Sequence, residues 1–205
     1  MKINKPKIKY LEETKLVSSI YENFTNALVL EKEDDVILEK VNIDTVEFKS
    51  MSLIDVTFID TNFMDVIFSS CDISNRVFDL MNFTRVEFNG SKLVGCSFNK
   101  SVLQDVKFEN CILKYANLSE LRAKKVLFKN CDFSDATFIN SELNNVEFID
   151  CKFNGCVISS TSFNDIDLSS CSIDGIMIDL YSIKGATIND NQAIQLVSLL
   201  GVKVK

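Results

Sequence analysis

From Leu38 to Ile188 every fifth residue is large and apolar, with the single exception of Ala123. The series has 31 positions and holds 15 of the 16 phenylalanines, leaving only Phe24 outside. A five-residue unit is too short for a helix pair or a hairpin, so it can only be one side of a polygonal coil. A second row lies two residues before each centre. Of its 31 members from Val36 to Ala186, 24 are Ala, Cys, Ser, Thr or Val, and all seven cysteines belong to it. Residues two apart on extended backbone share a face, so both rows point inward. The residues between them are mostly Asn, Asp, Ser, Lys and Glu, which suits outward and corner positions. Five of the six glycines (Gly90, Gly95, Gly155, Gly175, Gly185) stand two past a centre, where a chain turning a corner benefits from having no Cβ. Centres numbered in 8 are Phe at ten of sixteen positions and those in 3 at five of fifteen, an alternation that favours an even number of sides.

These two rows make the chain resemble the pentapeptide-repeat family. The resemblance implies an all-β fold, a right-handed quadrilateral parallel β-helix with four pentapeptides per coil. It divides the chain into an N-terminal cap (1–35), the β-helix (36–189) and a C-terminal helix with a short strand (190–205). Stacked positions then differ by twenty. Phe48, Phe68, Phe88, Phe108, Phe128 and Phe148 form a core ladder, and Cys71, Cys111, Cys131, Cys151 and Cys171 a column completed by Met51 and Ser91. Parallel neighbours lie about 4.8 Å apart, whereas a disulfide needs Cβ atoms near 3.8 Å. A straight line of thiols cannot surround zinc either. The cysteines are therefore expected to be reduced and buried.

At the start, Leu16, Ile20 and Phe24 recur at every fourth residue and predict a short helix over the first coil, followed by a solvated loop at Glu31–Asp35. At the other end Asn189 or Asp190 is placed to cap a helix terminated by Gly201, with Val202–Val204 as a short strand. That helix carries more apolar surface than one capping stripe requires, so Ile194, Leu196, Val197, Leu199, Leu200 and Val202 are expected at a homodimer interface. Arg76 on a small-residue site, and Leu121 with Ala123, which invert the usual sizes, are expected as local bulges, with Arg76 turned outward or paired with Asp72.

Composition removes several function classes. The chain has no histidine, hence no histidine triad, base or metal ligand. It shows no glycine-rich phosphate loop or serine elbow. No catalytic residues, metal site or cofactor are expected. A net charge of −7 opposes direct binding of nucleic acid or an anionic membrane. The longest apolar run, Ala27 to Leu30, is far too short for a membrane span. With reduced cysteines, the expected compartment is the cytoplasm.

Charge is uneven along the chain: −5 over 36–75, +5 over 76–130 and −7 over 131–188. The C-terminal stretch Gly185-Ala186-Thr187-Ile188, with Gln192-Ala193 and Leu199-Leu200-Gly201-Val202, resembles the end of Qnr and MfpA-type quinolone-resistance proteins. That resemblance implies a DNA-mimicking dimer that binds type II topoisomerases, DNA gyrase or topoisomerase IV, and protects them from quinolones. The uninterrupted register places it with the loop-free variety. A density estimate bears on the idea. The whole rod, −7 over about 38 Å, carries only about one charge per 5 Å and fails as a uniform mimic. Residues 131–188, three coils or ~14 Å, carry about one net charge per 2 Å, against one per 1.7 Å on B-DNA. Glu147, Asp150 and Asp167 are expected on one side of the coil, with Asp165 and Asp174 on adjoining sides or corners, as the acidic surface offered to the partner. The alternative is a scaffold or adaptor rod for another protein, also without catalysis.

Overall fold

The computed structural model describes residues 1–199 and 202, apart from the side chain of Leu199. The inward rows build a right-handed four-sided parallel β-helix of about eight turns. The strands are β1 (Glu12–Glu13), β2 (Ser19–Ile20), β3 (Phe24–Val29), β4 (Ile37–Glu39), β5 (Asn42–Lys49), β6 (Thr57–Ile59) and β7 (Asn62–Ser69). They continue with β8 (Asn82–Asn89), β9 (Val102–Glu109), β10 (Arg122–Lys129), β11 (Thr137–Ile139), β12 (Glu142–Ile149), β13 (Val157–Ser159) and β14 (Met177–Ile178). Two helices close the chain, α1 (Leu180–Ile183) and α2 (Asp190–Leu199). The eight-residue strands each wrap two sides and, with β1 and β3, form one sheet in the order β1-β3-β5-β7-β8-β9-β10-β12. Partners from β5 to β12 lie twenty residues apart, as in Phe88↔Phe108 and Phe128↔Phe148.

The register stacks like on like. Phe48, Phe68, Phe88, Phe108, Phe128 and Phe148 form a continuous pile with ring centroids 4.6–5.1 Å apart. All seven cysteines are buried and free. Six of the seven thiols, all but Cys156, donate to the carbonyl of the centre 23 residues earlier, as Cys111 does to Phe88 O at 3.2 Å and Cys96 to Ile73 O at 3.0 Å. Ser91, Ser101 and Thr161 do the same to Phe68, Phe78 and Phe138. Burial pushes the Cys96 and Cys156 thiols up to about 12 and Cys71 to about 11. From Lys40 to Gly185 every residue two past a centre has a positive φ except Asp55, Ser170 and Leu180. Glycine is thus one tenant among several at the corners, beside the Asn and Asp residues that also tolerate this region.

Three expectations are corrected. Residues 12–29 form strands rather than a helix: Phe24↔Ile43 and Ala27↔Val46 pair in parallel, so β3 extends the sheet. The apolar residues that suggested a four-residue period are separated in space, Leu16 fully buried and Ile20 55% exposed. Arg76 keeps its rung to the next coil, with Ser97 N–H reaching its carbonyl at 3.0 Å. Among the described residues, however, no backbone hydrogen bond joins 56–60 to 76–80, so the expected irregularity is an interrupted ladder on one face. The Arg76 guanidinium bonds Val56 O at 3.0 Å, while Asp72 pairs with Lys92. Leu121 and Ala123 are both buried in the regular β9-β10-β12 register, so sizes trade places without distortion. In the last coil α1 replaces an extended side, and Ser182 takes the buried place that the period assigns to Tyr181.

Candidate protein-binding surface

Glu147 and Asp167 each precede a centre of the same side, one coil apart, and Asp150 stands at the corner that follows Glu147. Asp150 and Asp167 are exposed; the Ser169 hydroxyl, together with Ser169 N–H at 2.8 Å, lowers the pKa of Asp167. Asp165 is exposed on the corner before this side, with Asn164 donating to it at 2.6 Å. Asp174 lies on a different side and accepts from Gln195 of α2 at 2.8 Å. The repeat period thus assigns Glu147, Asp150 and Asp167 to one side and its following corner and Asp165 to the corner before it, while Asp174 is engaged by the C-terminal helix.

A feature that the repeat does not encode crosses the same region. Residues 1–10 run along the outside of the rod instead of over its end. Lys7 N–H donates to Asp65 at 2.8 Å, Asn4 N–H to Asp105 at 3.1 Å, and the Met1 ammonium pairs with Glu147 at 2.7 Å. Three residues cover two coils between the first two contacts, about 3.2 Å per residue, which is extended chain. Ile3, Pro6 and Ile8 are half-buried against the rod, while Lys2, Lys5, Lys7 and Lys9 face outward. Beneath this strap Asp65 is only 5% exposed and Asp105 4%. Burial pushes the Asp65 carboxyl up, but the Arg85 fork at 2.6 Å and the Lys7 N–H outweigh it and hold the group below its usual range. Asp65, Arg85 and Asp105 are spaced by twenty and so share a column, but no sequence period links residues 1–10 to it.

The C-terminal helix is tied to the last coil by one side chain. Gln192, 3% exposed, donates to Leu168 O and Cys171 O, both at 2.7 Å. Asn189 is the cap: its side chain accepts from Gln192 N–H at 3.0 Å and its own N–H reaches Gln192 Oε1 at 2.8 Å, a reciprocal capping box. Among the expected interface residues, Ile194 is 53% and Val202 52% exposed, and Leu196 and Val197 are half-buried. The side chain of Leu199, together with Leu200, Gly201, Lys203 and Val204, lies outside the described residues. No helix of the described residues is long and apolar enough to cross a membrane. Among those residues, no cluster of His, Cys, Asp and Glu could hold a metal ion.

No curated protein matches the chain. Among solved structures it is similar to a trypsin-treated variant of QnrB1, a plasmid-mediated fluoroquinolone resistance protein, at 20% identity and a TM-score of 0.47, covering 93% of this chain and 99% of that one. It is also similar to HetL, a pentapeptide repeat protein involved in heterocyst differentiation regulation from the cyanobacterium Nostoc, at 12% identity and a TM-score of 0.45, covering 91% and 92%. A family profile described as a pentapeptide repeat region matches residues 61–129 and 121–196. These two matches span most of the coil, and the chain belongs to the pentapeptide-repeat family.

Proposed function

We propose that this protein is a non-catalytic, DNA-mimicking rod that binds a type II topoisomerase, DNA gyrase or topoisomerase IV, as a homodimer and protects it from quinolones. The observation that supports the reading is the exposure of Asp150 and Asp167 near the C-terminal end, with Glu147 at the same place in the repeat one coil before Asp167. A dimer formed through α2 would join two such regions into one acidic centre, and a basic DNA-binding saddle is the surface that would accept it. Reversing Glu147, Asp150 and Asp167 to Lys leaves every inward side chain in place. The triple variant should fold, lose gyrase binding and no longer protect supercoiling from ciprofloxacin, while parental binding should weaken with salt. Reversal of Lys107 and Lys125 should change little. A triple variant that folds and protects like the parent would refute the mimic. It would leave a scaffold for another protein, a reading favoured by the strap that sets lysines beside the acidic side.

A further inference from the structure

Between β12 and the coil that follows it the backbone ladder is broken. Below it, β10 and β12 pair along their length from Arg122↔Glu142 to Lys129↔Ile149. Above it, residues 163–168 bond upward, with Phe163 N–H to Ser182 O at 2.9 Å and Leu168 N–H to Thr187 O at 2.8 Å. Between the two, among the described residues, no hydrogen bond joins 143–149 to 162–169. Even Asp150 N–H, whose equivalents Ser50, Ser70 and Asn130 reach a carbonyl of the next coil, goes instead to the Ser170 hydroxyl at 3.1 Å. The long sheet accordingly ends at β12 although the rod continues, and β12 presents an open edge in the side of the molecule.

A cavity of about 670 Å³ opens against this edge, and its walls include Glu142, Asn144, Asn145, Ser162, Asn164 and Asp165. It contains two carboxylates and no lysine or arginine. An unpaired parallel edge is a template for another strand. From this edge and its charge we infer that the cleft takes an extended, lysine- or arginine-bearing segment of a partner protein by strand addition to β12. The backbone amides of the added strand take the place of the missing rung, and its basic side chains meet Glu142 and Asp165. The rod already holds one segment of this chemistry, the lysine-rich strap, through backbone N–H groups on Asp65 and Asp105. The inference sharpens the protein-partner reading above, yet its test contains no topoisomerase, so the two can fail separately.

The probe is a fluorescein-labelled octapeptide of alternating valine and lysine, followed by anisotropy and by amide exchange. In the free protein the Leu143, Asn145 and Phe148 amides should exchange fast, while Ala123, Lys125 and Phe128, in a strand paired on both sides, should be slow. Added peptide should protect the first three. Methylating alternate backbone nitrogens of the probe, or combining Glu142→Lys with Asp165→Lys, should each weaken binding by about tenfold or more. Both carboxylates are exposed, so that variant keeps its fold. Slow exchange at Leu143, Asn145 and Phe148 in the free protein would overturn the inference. So would undiminished binding of the methylated probe, which is charge attraction alone, or protection that rises with protein concentration without peptide, which is a second copy on the edge.

Discussion

At the residue scale the small inward row has a purpose beyond size. Every Cys, Ser or Thr there except Cys156 donates a hydrogen bond to the carbonyl of the centre 23 residues earlier, as Cys71 does to Phe48 O at 3.3 Å and Thr61 to Leu38 O at 3.0 Å. Alanine and valine fill the space but leave that acceptor to the ladder, so hydroxyls and thiols recur. The corner position makes the opposite demand, a left-handed backbone. Leu80 meets it at φ 63° with 72% of its surface exposed, an apolar side chain where Asn is better suited. Leu80→Asn should stabilise the protein by about 0.5–1 kcal/mol, read as a higher urea midpoint with unchanged slope. Asp179 has a third task. It accepts from Ser160 N–H at 2.8 Å and caps α1 through Ser182 N–H at 2.7 Å, contacts that lower its pKa to about 2 from 3.8. A depressed carboxylate stabilises the fold above its usual pKa and ceases to as pH falls through about 2. Asp179→Ala should therefore cost about 1 kcal/mol at pH 7, with parent and variant converging in acid unfolding between pH 4 and 2.

At the element scale, stability concentrates in stacks that run across strands. Phe108 is fully buried between Phe88 at 4.6 Å and Phe128 at 4.8 Å, with planes within 4° and 19°. Phe108→Leu should cost about 1–2 kcal/mol, because the neighbouring column uses Leu at the same site type. Phe108→Asp buries a carboxylate with no cation in reach and should abolish soluble expression. Equal thermal melts for Phe108→Asp and the parent would show that the ring is not in the core. The neighbouring column tolerates Ala123 because Leu121 restores the lost volume from the adjacent inward position. The same logic explains α1: once the chain coils there, Ser182 rather than Tyr181 fits the interior and bonds Thr161 N–H at 3.1 Å.

At the scale of the whole molecule, each end of the rod is a strand edge that must be covered. Gln192 does this at the C-terminal end by occupying two carbonyls of the last coil. Deleting residues 190–205 uncovers both acceptors together with the apolar surface of Ile178, Ile183 and Ile188. Light scattering should then report a monomer or an aggregate; an unchanged dimer would place the interface elsewhere. The coil itself, its inward rows, the Phe48–Phe148 ladder and the reduced cysteines were all legible in the sequence. Each follows from a local five-residue rule applied repeatedly, with identical residues stacking at every turn. Three features belong to the tertiary structure alone: the strap held by Asp65 and Asp105, the strands that replace the expected helix before Val29, and the open edge of β12. Lys7 lies 58 residues from Asp65 and Asn4 lies 101 from Asp105, so no local pattern links them. Whether a coil pairs with the one below depends on how backbone twenty residues away is directed, and 162–169 bonds upward while keeping the same inward alternation as every paired coil. Side-chain periodicity determines which residues face the core; hydrogen bonds between distant backbones decide which coils close.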